Sequence, residues 1–279
     1  MKVGIVGLGL IGGSLGLDLR SLGYEVLGVS RRQTTCDLAV AKGVVDEASI
    51  NLNLMSKANT IFLCTPIGTI IPTVEQLLPY LTPDTILTDV GSVKTYLVTK
   101  IEPLWHNFVG GHPMAGTAES GIEAVQKHLF CDAPYVITPT ENTPLRAINK
   151  VEEIARSLGS KVYFCSPTEH DRAVAWISHL PLMVSANLIA SCMGETDKSV
   201  LDLAKKLASS GFRDTSRVGG GNPELGLMIA QSNRQELLQN LLKFNKNLEL
   251  LIDLIEQENW QEVNQFLNLS QTSRPEFLK

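Results

Sequence analysis

The first 165 residues alternate short β-rich apolar runs with stretches of helical period. Lys2–Val6, Glu25–Val29, Thr60–Cys64 and Thr85–Asp89 read as buried strands. Phe108–Val109 lies in a fifth, and Tyr135–Thr138 and Val162–Cys165 follow as late ones. Between them the periodicity predicts helices over Ile11–Leu22, Ile70–Leu81 and Leu145–Leu158, with a short one around Leu38–Lys42. Pro72 is tolerated because it falls in a first turn. Val44–Val45 precedes an acidic turn. Strand and helix alternating at this spacing imply βαβ units and a mostly parallel sheet. After Cys165 the strand signals fade. Helical periods cover Glu169–Ile189, Ser199–Leu207, Glu224–Gln231 and Gln235–Glu256. In the last, Leu237, Leu238, Leu241, Leu242, Leu248, Leu251, Ile252 and Ile255 recur at helical spacing. Such a stripe is either internal core or a subunit interface. The chain therefore divides near Cys165–Pro167 into an α/β part, 1–165, and an all-α part, 166–279.

Composition narrows the function classes. A length of 279 residues accommodates two ordinary domains. The net charge of −5 and a pI near 5.6 argue against a nucleic-acid partner, which selects a basic surface. No apolar run approaches the roughly 20 residues of a membrane span. The N-terminal apolar stretch is interrupted by glycines and lacks a convincing cleavage site for a signal peptide. Cys36, Cys64, Cys131, Cys165 and Cys192 are odd in number and form no C-x-x-C. They predict reduced thiols in a reducing compartment, the cytoplasm, and no metal site.

The sharpest local signal is Gly7-Leu8-Gly9-Leu10-Ile11-Gly12, placed after a strand and at the start of a helix. In that setting Gly7 permits a tight turn, Gly9 lets the backbone approach a pyrophosphate, and Gly12 allows close helix–strand packing. The helix N-terminus faces the anion. The second strand ends in Ser30-Arg31-Arg32, where a dinucleotide site for NAD carries an acid on the ribose. A hydroxyl and two guanidiniums suit a 2′-phosphate instead, so the expected cofactor is NADP. The bland alternative is that both arginines are ordinary solvated charges.

Two later segments also follow strands: Thr88-Asp89-Val90-Gly91-Ser92-Val93-Lys94 and Val109-Gly110-Gly111-His112-Pro113-Met114-Ala115-Gly116-Thr117. His112, in a glycine-flanked loop closed by Pro113, is a candidate general base, because imidazole titrates near neutrality. His106, His128 and His170 are read as surface or structural histidines.

The combination G-L-G-L-I-G-G-S, D-V-G-S-V-K, G-G-H-P-M-A-G-T and W-I-S-H-L-P resembles the prephenate/arogenate dehydrogenases of tyrosine biosynthesis. Gly211-Phe212-Arg213-Asp214-Thr215-Ser216-Arg217, before Val218-Gly219-Gly220-Gly221-Asn222-Pro223, continues the likeness through essentially the whole chain. The resemblance implies a Rossmann-type N-terminal domain, an all-α C-terminal domain and a homodimer built through the latter. It implies a cyclohexadienol substrate that loses a ring-hydroxyl proton, a hydride and CO2. It makes His112 the base and Ser92 the hydroxyl that aligns substrate and nicotinamide, with a helix cap as the alternative for Ser92. His179 becomes a second site histidine. Arg217 and Arg213, i and i+4 neighbours if helical, become clamps for substrate carboxylates, or else a surface pair with Asp214 and Glu224. Gly111 and Thr117 join the substrate set. The cofactor set is Gly7, Leu8, Gly9, Leu10, Ile11, Gly12, Ser30, Arg31, Arg32, Cys64, Thr65, Pro66 and Ser92. With nucleotide groups in the first part and anion clamps in the second, the site is expected in the cleft between them.

Gly116-Thr117 is followed by Ala118, where several prephenate-preferring members of that family carry an acid. This favours L-arogenate over prephenate as substrate. The alternatives are a prephenate dehydrogenase using NAD or NADP, a β-hydroxyacid or imine reductase, and a nucleotide sensor without turnover. The reductases commonly use a helix-borne Lys that is not evident here. A sensor has no need of Ser92, His112 and Arg217 together.

Overall fold

The computed structural model describes residues 1–117 and 119–278, which form two compact units, Met1–Asn233 and Arg234–Lys279. The expectation drawn from Ala118 therefore lies outside the described residues.

The first unit holds one eight-stranded sheet. Its strands are β1 (Lys2–Val6), β2 (Glu25–Val29), β3 (Glu47–Ser49), β4 (Thr60–Leu63), β5 (Ile86–Asp89), β6 (Phe108–Pro113), β7 (Pro134–Thr138) and β8 (Lys161–Phe164). Their order is β3-β2-β1-β4-β5-β6-β7-β8, parallel throughout except between β6 and β7. Helices α1 (Leu10–Ser21), α2 (Gln33–Ala41), α3 (Ile67–Leu77), α4 (Thr95–Ile101) and α5 (Leu145–Ser157) connect them. Alternation along β1 explains why both faces need cover. Val3 and Ile5 pack with Leu15 and Leu19 of α1, whereas Val6 packs with Ile70 and Val74 of α3. Strand order reverses between β1 and β4, which opens a crevice at the carboxyl ends of these strands.

Within the sheet part, two elements escaped the periodicity and a third runs longer than expected. β3 has three residues and β-poor composition, and is held by pairing Leu27 with Glu47. α4 is only seven residues long and follows directly on the D-V-G-S-V-K segment. β6 runs on to Pro113, so His112 sits on a strand opposite Val136 and not in a loop. The glycines that suggested a loop serve close packing. A Cβ on Gly110 would lie 2.4 Å from Thr138 Oγ1, and one on Gly111 would lie 2.8 Å from the Asp89 carbonyl oxygen.

The change from strand to helix falls at Cys165–Pro167. Ser166 opens α6 (Pro167–Val174) with a reciprocal cap: its Oγ accepts from the Glu169 N–H, and Glu169 accepts from the Ser166 N–H at 2.8 Å. The predicted single helix over Glu169–Ile189 is interrupted by a π turn, Ala175–His179, before α7 (Leu180–Met193). Pro181 has no N–H to offer the Ile177 carbonyl, and the widened turn lies just ahead of it. Taken as one helical stretch, Pro167–Met193 has the length and hydropathy (1.5) of a membrane-crossing segment. Polar residues interrupt the stretch, but its length and mean hydropathy correct the expectation that no apolar run approaches a membrane span. In this fold, however, it buries His170 and Asp171 in hydrogen bonds. α8 (Lys198–Leu207), α9 (Ser210–Ser216) and α10 (Pro223–Ser232) complete the first unit, so the compact unit extends well past Cys165.

The second unit contains α11 (Arg234–Glu256) and α12 (Trp260–Ser273). Leu238, Leu242, Leu248, Ile252 and Ile255 of α11 are 43% to 58% exposed, so this part of the leucine stripe is not internal core.

Candidate active site

The nucleotide end is built by the β1–α1 turn. Gly7 adopts φ +105°, a conformation that disfavours any side chain, and its N–H donates to the Val29 carbonyl at 2.8 Å. A Cβ on Gly12 would fall 2.0 Å from the Gly7 carbonyl oxygen, whereas one on Gly9 would meet nothing within 4 Å. The turn is thus closed beneath and open above Gly9. No side chain caps α1, which leaves its first-turn N–H groups for an anion. The residues present fit a dinucleotide. Leu8 and Leu10 bury their side chains, and Ile11 is half-buried against the same core. Their contribution to a ligand is therefore limited largely to backbone.

Thr65 Oγ1, past the end of β4, is buried with no hydrogen-bond partner among the described residues, and Pro66 is exposed beside it. Burial, with Asp89 nearby, pushes the Cys64 thiol far up, so it is inert. At the end of β2, Ser30 is tied by its N–H to the Ser49 carbonyl. Arg31 and Arg32 stand exposed between β2 and α2.

A buried polar cluster occupies the opposite flank of the crevice. Asp89, at the end of β5, is fully buried. Its carboxylate accepts from the Gly91 N–H at 2.8 Å, from the Gly111 N–H at 3.2 Å and from the Lys94 ammonium. Lys94 Nζ also donates to the Gly111 carbonyl at 2.6 Å. The loop bearing Ser92 is thereby pinned to the strand bearing His112. Both backbone groups of Gly111 are bonded in this network, so Gly111 supports His112 from behind. Ser92 Oγ has no partner among the described residues, so the cap alternative is not realised among them. The residue that supports the start of α4 is Asp171, which accepts from the N–H groups of Lys94 (2.7 Å) and Thr95 (2.8 Å).

Asp171 leads to the base. Its Oδ1 lies 2.8 Å from His170 Nδ1, and His170 Nε2 lies 2.8 Å from His112 Nδ1. The two rings meet edge to face at 5.0 Å and 68°. An ionised carboxylate only accepts, so His170 Nδ1 donates. With both rings neutral, His170 Nε2 then accepts from His112 Nδ1–H, and His112 Nε2 keeps its lone pair. Burial works against charge on Asp171, but hydrogen bonds from His170, Lys94 and Thr95 outweigh it and hold its carboxyl below the usual range. Burial, reinforced by His170, Lys94 and His179, lowers His112 well below 6.5 and keeps it neutral. His170, read from sequence as structural, is thus part of the site. The adjacent H-D pair at the start of a helix was the available signal, but partnership with His112 spans 58 positions.

His179, at the end of the π turn, is fully buried. Its Nδ1 faces Asn233 Nδ2 at 3.1 Å, and its Nε2 has no partner among the described residues. Burial lowers its pKa to about 4, with Asp171 opposing and His170 assisting. Other expected residues are not gathered here. Arg213 is exposed and pairs with Asp214 at 3.3 Å. Arg217 is exposed at the C-terminal end of α9, and neither arginine bonds to the histidine cluster among the described residues. Thr117 is exposed and accepts from the Glu119 N–H at 3.2 Å. Among the described residues, no group of three or more His, Cys, Asp or Glu is placed to hold a metal ion.

A buried neutral histidine with one ring nitrogen open, on the same sheet as a dinucleotide turn, suits an oxidoreductase of the dehydrogenase class. Residues 15–164 match the prephenate dehydrogenase nucleotide-binding domain, and residues 166–269 match the prephenate dehydrogenase dimerization domain. The chain belongs to the prephenate dehydrogenase family, whose members carry out oxidative decarboxylation of arogenate or prephenate. It is 52% identical to Synechocystis arogenate dehydrogenase, over 99% of this chain and 100% of that one, with a TM-score of 0.89. Prephenate dehydrogenase from A. aeolicus, solved with hydroxyphenyl propionate and NAD+, superposes with a TM-score of 0.94 at 29% identity, over 99% and 98% of the two chains. Prephenate dehydrogenase of Bacillus subtilis (strain 168) is 28% identical over 97% of this chain and 74% of its own length.

Proposed function

We propose that this protein is an arogenate dehydrogenase that uses NADP and yields L-tyrosine. The observation that carries the reading is the Asp171–His170–His112 chain, which leaves a neutral imidazole nitrogen as acceptor for a ring-hydroxyl proton. A well-placed base of this kind contributes on the order of 10²–10⁴-fold in rate. A bound nicotinamide would supply the acceptor for the hydride on the carbon that carries the hydroxyl. The proton goes to His112 Nε2, and the resulting dienone loses its ring carboxylate as CO2 and becomes aromatic. As the proton arrives, charge on His112 is stabilised through His170 by the Asp171 carboxylate. Ser92 Oγ, unpartnered on the pinned loop, is free to bond the substrate oxygen and align it with the nicotinamide. His179 contacts substrate from the helical side. Arg217, with Arg213, clamps carboxylates, which requires these exposed side chains to be ordered by the ligand.

NADP is favoured because the end of β2 bears Ser30, Arg31 and Arg32 and no acid. Arogenate is favoured by the likeness, at 52% identity, to the arogenate-named structure. The nucleotide part is 1–165, and the part serving substrate and self-association is 166–279. The exposed leucine and isoleucine side chains of α11 suit burial against a second copy in a cytoplasmic homodimer. The test is absorbance growth in the NADPH band with arogenate and, separately, prephenate, each with NADP and NAD. Greater efficiency with arogenate and NADP is expected. Equal or greater efficiency with prephenate and NAD would replace this reading with the prephenate one.

A further inference from the structure

Asn233 lies at the C-terminal end of α10, is 5% exposed, and makes two contacts that together determine a proton position. Its Nδ2 donates to the Asp171 carbonyl at 2.9 Å. A carbonyl oxygen cannot donate, so the atom facing it is the amide nitrogen and not the amide oxygen. The second hydrogen of that amide points at His179 Nδ1, 3.1 Å away. Nδ1 must therefore carry the lone pair. In the neutral ring the proton is on Nε2, the atom that is buried without a partner among the described residues. A buried donor left unmade is costly, which marks this N–H as aimed at something that arrives.

We propose that Asn233 is a positioning residue that locks His179 in the Nε2–H tautomer, so that this ring offers a neutral donor to an oxygen of the substrate. This rests on His179 facing substrate, as in the reading above. Its consequence is specificity. A carboxylate or carbonyl oxygen is accepted at His179, and an ammonium group is not, because Nε2–H has no lone pair to receive it. The two site histidines then have opposite roles: His112 accepts through Nε2 and His179 donates through Nε2. Asp171 organises both, by its carboxylate through His170 and by its carbonyl through Asn233.

The test begins with imidazole ¹⁵N–¹H correlation spectra of the uniformly labelled full-length protein without substrate, at a pH above 7. The expected spectrum shows His179 protonated on Nε2 and bare on Nδ1. Asn233→Ala should release the lock, giving mixed tautomers and raising the KM for the dicarboxylate substrate about tenfold, the loss typical of one hydrogen bond to a charged group, with a smaller change in kcat. A second pair guards against misfolding. His179→Gln, whose amide can donate near the Nε2 position, should retain more substrate affinity than His179→Asn, whose amide falls near Nδ1. An Nδ1–H tautomer in the parent protein would overturn the proposal. So would a tautomer that survives in folded Asn233→Ala, or His179→Asn binding better than His179→Gln. Because the tautomer is read without substrate, failure of the assigned reaction would show separately, as no turnover by a protein with the expected spectrum.

Discussion

The histidine cluster and the arginine-bearing edges solve opposite problems. Around His112 every support is buried and bonded: Asp89 and Lys94 are fully buried, and Asp171 accepts from two backbone N–H groups and one ring. Arg31, Arg32, Arg213 and Arg217 are all exposed. Proton transfer needs one tautomer held at low dielectric before substrate arrives. Anion capture needs charge that stays hydrated until a ligand replaces the water, because isolated buried charge is costly. The same chain therefore holds its buried titratable groups in fixed partnerships and keeps these four arginines at the surface.

The contrast breaks most visibly at the base. His112→Asn should lower kcat by about 10²–10⁴-fold while nucleotide affinity, read by fluorescence titration, stays nearly constant. Near-normal turnover would remove His112 from the chemistry. Next comes Lys94→Met, which strands the Asp89 carboxylate in the interior. It should cost about 3–5 kcal/mol in denaturant unfolding, and a neutral result would show that the pair is dispensable.

At the rim the effects are smaller and selective. Arg31→Ala combined with Arg32→Ala should weaken NADP binding about tenfold or more and leave NAD binding almost unchanged. Equal losses for both nucleotides would return these arginines to the solvated alternative. The smallest effect is on pH. His112 and His179 have folded-state pKa values below the ordinary 6.5, so the unfolded chain binds more protons as pH falls. Stability should be intact above pH 6.5 and decline below it, with the His179 share complete near pH 4. The slope approaches about 1.4 kcal/mol per pH unit for each histidine. His179→Gln should reduce that slope in pH-dependent unfolding, and an unchanged slope would assign the loss to other groups.

Much of this was legible in sequence because it is local. Alternating period marks strands such as Lys2–Val6, and a glycine turn between strand and helix has few uses. The π turn before Pro181 and the strand character of Gly110–Pro113 were not legible, since glycine carries no hydrophobic signal and packing decides its state. The short α4 was missed as well, because the group bonded to its first N–H donors, Asp171, lies 76 positions from Thr95.

The amino-acid sequence by itself determined the α/β-then-α order and the dinucleotide turn, and it picked out His112 and Ser92 as candidates, since each depends on residue type at short spacing. Only the tertiary structure decided that His170, Asp171 and Asn233 belong to the site. Proton placement on a ring follows from which donor or acceptor faces each nitrogen, and those partners come from distant segments.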